Sequence, residues 1–129
     1  MSLQALNPPA VCPPVGLYSQ AILTAGVGRW LHISGQIGVR PDGKLADGFS
    51  EQADVAWSNV LAILRAADMD AADLVKIVSY LTEADNMSAF GSVRTKYLGN
   101  ARPASTLIIV KSLARPEWLV EVEAVAFKP

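Results

Sequence analysis

The sequence predicts an α+β fold of order ββαβαββ, a mixed sheet with two helices packed on one face. Three observations point there: two segments repeat apolar residues at spacings of three and four, short β-branched or alternating runs surround them, and 129 residues suffice for a single domain with its own core.

The elements follow in chain order. The opening "MSL" carries no functional weight, and residues 1–15 read as an extended arm, because "NPPAVCPPVG" (Asn7 to Gly16) holds four prolines in ten residues. "YSQAILT" and "RWLHISGQIGV" are strand-like, and the "AGVG" between them suits a hairpin turn. "RPDGKLADG" adds a second turn-rich connection. Ala56, Trp57, Val60, Leu61 and Leu64 then line one side of an amphipathic helix, with Asp54, Ser58 and Arg65 opposite and Ser50 as its N-cap. "DLVKIVSYLT" (Asp73 to Thr82) is short and β-branched, and reads as a buried strand. A second helix is expected from about Asn86 to Leu98, with Met87, Phe90, Val93 and Tyr97 on one stripe and Gly99 as its stop. "STLIIVKSL" is a further strand. In "EWLVEVEAVAF" strict alternation sets Glu121 and Glu123 on one face and Val120, Val122 and Ala124 on the other, and a second hairpin is expected at this end of the chain.

Composition removes several classes of function. Hydrophobic residues make up 51% of the chain, yet the longest apolar runs, such as "LIIV" from Leu107, fall far short of the ~20 residues of a membrane span, so a soluble protein is expected. So high an apolar content on a small domain suggests that sister subunits cover part of its surface. A net charge of −1, with lysines and arginines scattered singly, offers no footprint for a nucleic-acid backbone. Cys12 is the only cysteine, which excludes an internal disulfide and reads as an incidental thiol in a loop. No secretory signal is visible, so a cytoplasmic location is expected. His32 is the only histidine, so no histidine dyad or multi-histidine metal site can be built in one chain. Neither a dinucleotide fingerprint nor a P-loop occurs.

Two stretches invite chemistry. "SGQIG" (Ser34 to Gly38) puts two glycines at a strand end, where bare backbone can approach a ligand or simply form a bulge. Glu121 and Glu123 share a sheet face that must be wet, paired or functional. A partly buried carboxyl there would have a raised pKa and could act as a general acid or base.

Taken in order, "GLYSQA", "SGQIG", "EQ…NV", "KIVSYLT", "RPAST" and "VEVEAVA" resemble the Rid family, the YjgF-like reactive-intermediate deaminases also called L-PSP endoribonucleases. The resemblance runs from about Gly16 to Phe127 and implies a chorismate-mutase-like fold, assembled as a homotrimer with clefts between subunits. It implies hydrolysis of amino-acid-derived imines and enamines to 2-keto acids and ammonia, with no metal or organic cofactor. By the same resemblance Glu121 positions the attacking water and Glu123 is structural. Tyr18, Ser34 and Gly35 shape or contact the ligand, and Gly91, Ser105 and Leu107 complete the substrate-binding set.

One position departs from the pattern. The deaminase branch carries an arginine directly after "PA" that grips the substrate carboxylate, and "RPAST" has Ser105 in its place; Gly91 likewise stands where that branch has an asparagine. Arg102 is offset by three residues in extended chain and points the other way, which leaves a neighbouring subunit as the source of any cation. Truncating such a contact typically costs about 2–5 kcal/mol. The expected function is therefore a cofactor-free imine or enamine hydrolase of altered specificity, weak on small 2-imino acids. The alternative is a non-catalytic trimer that binds a small metabolite. Ribonuclease activity ranks last, for want of a basic groove and acid–base pairs.

Overall fold

The computed structural model describes residues 3–129. Its elements are β1 (Leu3–Leu6), β2 (Ala21–Thr24), β3 (Arg29–Ile37), α1 (Phe49–Ala66), β4 (Leu74–Leu81), α2 (Met87–Leu98), β5 (Ala104–Ile109) and β6 (Val120–Lys128). Residues 1–2 of the opening "MSL" lie outside the described part, and the third begins β1.

A four-stranded sheet of order β3-β6-β4-β5 carries both helices on one face. β6 runs antiparallel to both of its neighbours, whereas β4 and β5 are parallel. A parallel pair needs a crossover, and α2 is that crossover. Period two sorts the sheet: Val120, Val122, Ala124 and Ala126 of β6 join Ile77 and Leu81 of β4 in the core beneath the helices. Trp57, Val60 and Leu64 come from α1, and Phe90 and Leu98 from α2. The opposite face, with Trp30, Val78, Tyr80, Glu121, Glu123 and Val125, has no helix over it and, apart from Phe127 buried beside Trp30, is only half-buried or exposed.

Several expectations need correction. The "AGVG" turn does not make a hairpin: β2 pairs with β1, from Leu3↔Thr24 to Leu6↔Ala21, and β3 pairs with β6. Long-range ladders outweigh local turn chemistry here. The four residues of β1 also turn part of the expected arm into a strand, while Asn7 to Gly16 stays irregular as expected. β5 and β6 form no hairpin either, because β6 inserts between β3 and β4. Ser50 is not the N-cap of α1; the helix starts at Phe49 after Gly48, whose φ of 81° is a left-handed turn suited to glycine. Met87 is half exposed rather than part of the buried stripe. Gly99, at φ 56°, does end α2.

Two motif residues are staples. Gln52, 3% exposed, donates to Glu117 O at 3.2 Å and accepts from Leu119 N at 2.9 Å, which ties α1 to the approach to β6. Asn59 donates to the carbonyls of Ile37 and Val39, at 3.3 and 3.1 Å, and holds the end of β3. Gly38 lets the helix come this close, since a Cβ there would lie 2.5 Å from Gln52 Cα.

Candidate active site

The β3–β6 ladder slips between Ile33 and Gln36: Ile33 opposes Ala124 and Gln36 opposes Val122, so three steps on β3 match two on β6. Ser34 and Gly35 form the resulting β-bulge. Gln36 Nε2 donates to Ser34 O at 3.0 Å across it. Gly35 is needed here for space rather than for its backbone angles. A Cβ built on it would lie 1.9 Å from Glu121 Oε2, so the Glu121 carboxylate rests in the volume that a side chain at 35 would fill. The bulge reading of "SGQIG" is thus the one the ladder shows, with the Glu121 carboxylate against its bare backbone.

Glu121 and Glu123 share the open face of the sheet, as their alternation predicts. Their surroundings differ. Glu123 accepts a short hydrogen bond from the Tyr80 hydroxyl, which raises the tyrosine's pKa. Glu121 has no hydrogen-bond donor among the described residues; burial and then the charge of Glu123 raise its pKa. One carboxylate is tethered, and the other is not. Tyr80 is a site neighbour that sequence reasoning missed, since "KIVSYLT" reads as plain strand and only the β4–β6 register brings it to Glu123.

The remaining predicted residues form a second group. Ser105 pairs with Ile77 and Leu107 with Ser79, so both face the helix side of the sheet, opposite to Glu121. Ser19 bridges Ala104 and its N–H donates to Pro103 O at 3.2 Å, which brings the Tyr18 segment to the outer edge of β5. Gly91 lies on α2. Arg102 donates twice to the end of α2, to Gly99 O and Ala101 O, both at 2.8 Å, and does not stand in for an arginine at 105. Within one chain, therefore, Ser34, Gly35 and Glu121 come together on one face while Ser105 and Leu107 stand on the other.

Neither principal cleft of the single chain holds any of these seven residues. One, of about 420 Å³, is lined by Ile37, Val39, Leu45, Arg115 and Trp118 among others, and begins at Ile37, the cross-strand partner of Glu121. The other, of about 360 Å³, lies between the β1–β2 ribbon and the end of α2. Among the described residues there is no group of His, Cys, Asp and Glu able to hold a metal ion, and no helix long and apolar enough to cross a membrane.

Comparison with known proteins draws these features together. The RutC family protein of Aquifex aeolicus is 36% identical over 129 residues, spanning 98% of this chain and all of the relative. The human 2-iminobutanoate/2-iminopropanoate deaminase is 34% identical over 116 residues, 88% of this chain and 82% of its own. Among solved structures, the Rid protein YyfB of Yersinia pestis superposes with a TM-score of 0.87 at 32% identity over 98% of both chains. RidA from an Antarctic Psychrobacter gives 0.74 at 31% identity, over 97% of this chain and 99% of that one. With the family model for endoribonuclease L-PSP matching residues 10–128 as well, this chain belongs to the endoribonuclease L-PSP family, the Rid and RutC proteins.

Proposed function

We propose that the protein is a cofactor-free hydrolase of reactive imines or enamines, working in clefts between the subunits of a homotrimer. The observation that carries this reading is the Glu121 carboxylate, seated over the Gly35 bulge on a sheet face without helices, with its pKa raised and no donor among the described residues. Such a group takes a proton from water as the oxygen attacks the imine carbon and passes it to nitrogen, then relays the proton of the new hydroxyl to nitrogen as the C–N bond breaks, so C=N becomes C=O and ammonia leaves. The similarity to 2-iminobutanoate/2-iminopropanoate deaminases supports the reaction class.

The split of the candidate residues between two faces supports the oligomer. Glu121 meets Ser105, Leu107 and Gly91 only if one subunit's open face abuts another's β5 edge, where Ile108 and Ile109 are 40% and 42% exposed. Ser105 and Gly91 are smaller than the arginine and asparagine of the deaminase branch. They favour a substrate bulkier than 2-iminobutanoate and weak turnover of that compound itself.

The test is ammonia release from a panel of imines generated in situ by an amino-acid oxidase, with Glu121→Gln beside the parent and light scattering on both. The expected result is a trimer that hydrolyses larger imines and loses that activity in the variant. A monomer, or turnover unaffected by Glu121→Gln, would sink the reading. A trimer that binds 2-oxo acids yet releases no ammonia from any imine favours the metabolite-binding alternative.

A further inference from the structure

The six arginines differ in what they hold. Arg29 donates to Ala67 O, Arg40 pairs with Glu51, and Arg102 grips the end of α2. Arg65 and Arg115 are exposed to water. Arg94 is different: it is partly buried, and among the described residues it makes neither an ion pair nor a hydrogen bond. Burial alone acts on its guanidinium, pulling the pKa down with no carboxylate to oppose it. A desolvated cation without a counter-charge is unfavourable unless something outside the chain supplies the anion.

Its position says where that anion sits. On α2, Tyr97 and Lys96 reach Asp54 of α1, at 2.8 and 2.7 Å, which marks the flank turned to α1. At 3.6 residues per turn, Gly91, Arg94 and Leu98 follow one another along the other flank. α1 packs over β3 and β6, so the flank away from it looks toward the β5 end of the sheet. Ser105 and Leu107 face that same side. The guanidinium folds back over Gly91, with Nη2 4.0 Å from where a Cβ at 91 would stand, and lies 5.8 Å from the Phe90 ring centroid. The cation is thus held against an aromatic ring beside a residue without a side chain.

We propose that Arg94 is the anion-binding residue of the cleft, taking the substrate carboxylate from helix α2 beside Gly91 rather than from strand β5. This inference rests on the intersubunit-cleft reading above. It gives that reading a substrate class: an imine or enamine acid whose carboxylate lies against α2, with its side chain in the space left by Ser105.

Binding is tested apart from catalysis, by NMR titration of the assembled protein with 2-oxo-4-methylpentanoate and with its neutral amide. The parent is expected to prefer the carboxylate, and Arg94→Met, which keeps an apolar cover on Phe90, to weaken carboxylate binding about 30-fold or more while leaving the amide unchanged. Arg94→Lys, the safer variant should the first fail to fold, is expected to keep part of the preference. The inference is overturned if the parent shows no preference, if neither Arg94 variant alters it, or if the loss follows Arg115→Met instead. Dissociation of the trimer by Arg94→Met would also overturn it, because Arg94 would then answer a carboxylate of another subunit. Carboxylate binding that depends on Arg94, in a protein that hydrolyses no imine, would sink the hydrolase reading and leave this inference standing.

Discussion

Tyr80 and Glu121 are direct cross-strand partners in the β4–β6 ladder, yet the Tyr80 hydroxyl reaches diagonally past Glu121 to Glu123. The diagonal bond separates two otherwise equivalent carboxylates, since it holds one and leaves the other free. Tyr80→Phe is expected to cost about 1–3 kcal/mol of stability, the usual loss when a charged group gives up a hydrogen bond. Chemical denaturation measures it. The same variant should alter the activity profile, because an untethered Glu123 can swing toward Glu121.

The raised pKa of Glu121 has consequences in both activity and stability. The acid limb of kcat/KM should lie above the ordinary glutamate value of about 4.3, and Glu123→Gln should lower it by removing a like charge. For stability the sign is definite. The folded protein holds this proton more tightly than the unfolded chain, so stability falls as pH rises from the ordinary carboxylate range through the raised folded value. Glu121→Gln should therefore melt at a higher temperature than the parent near neutral pH, with the gap closing below about pH 4. Identical melting curves across the whole range would refute the shift.

Gly35→Ala places a methyl group where the Glu121 carboxylate rests. The carboxylate is the far end of a flexible side chain, so it moves and the sheet survives. An unchanged melting temperature with kcat lowered on the order of 100-fold is expected, the typical effect of displacing a reacting group by about 1 Å. Single-turnover kinetics would reveal it, and full activity would show that Glu121 works from another position.

Ser105→Arg returns a cation to β5. It should raise turnover of 2-iminobutanoate by up to the ~2–5 kcal/mol attributed to such contacts. The gain should be larger in an Arg94→Met background, where two cations no longer compete for one space. A double-mutant cycle measures the coupling, and strict additivity would mean that the two positions do not share a cleft.

Legibility followed the range of the interactions. Alternation in "VEVEAVA" placed Glu121 and Glu123 correctly, because period two is local to a strand. The helices emerged from their spacing for the same reason, and Gly99 from the need for a left-handed stop. What stayed hidden depended on partners far along the chain. β1 and β2 pair across the proline-rich arm, and no turn residues announce it. Gln52 and Asn59 look like ordinary polar residues of a helix until their backbone partners, as many as 67 residues away, are known. Arg94 was equally silent, since only a folded molecule shows which arginine is partly buried without an oxygen partner.

The bulge at Ser34 and Gly35 stores the candidate site as a length of chain. Before it, odd-numbered residues of β3 such as Ile33 share the core side with Ala124; after it, Gln36 takes that side opposite Val122 and Ile37 joins Glu121. Removing a single residue here would knit β3 and β6 into an uninterrupted ladder and abolish the hollow that receives the carboxylate. The regular sheet and the candidate site are thus alternatives separated by one codon. Loss of function by this route would come as a deletion that tidies the sheet, rather than as a substitution that damages it.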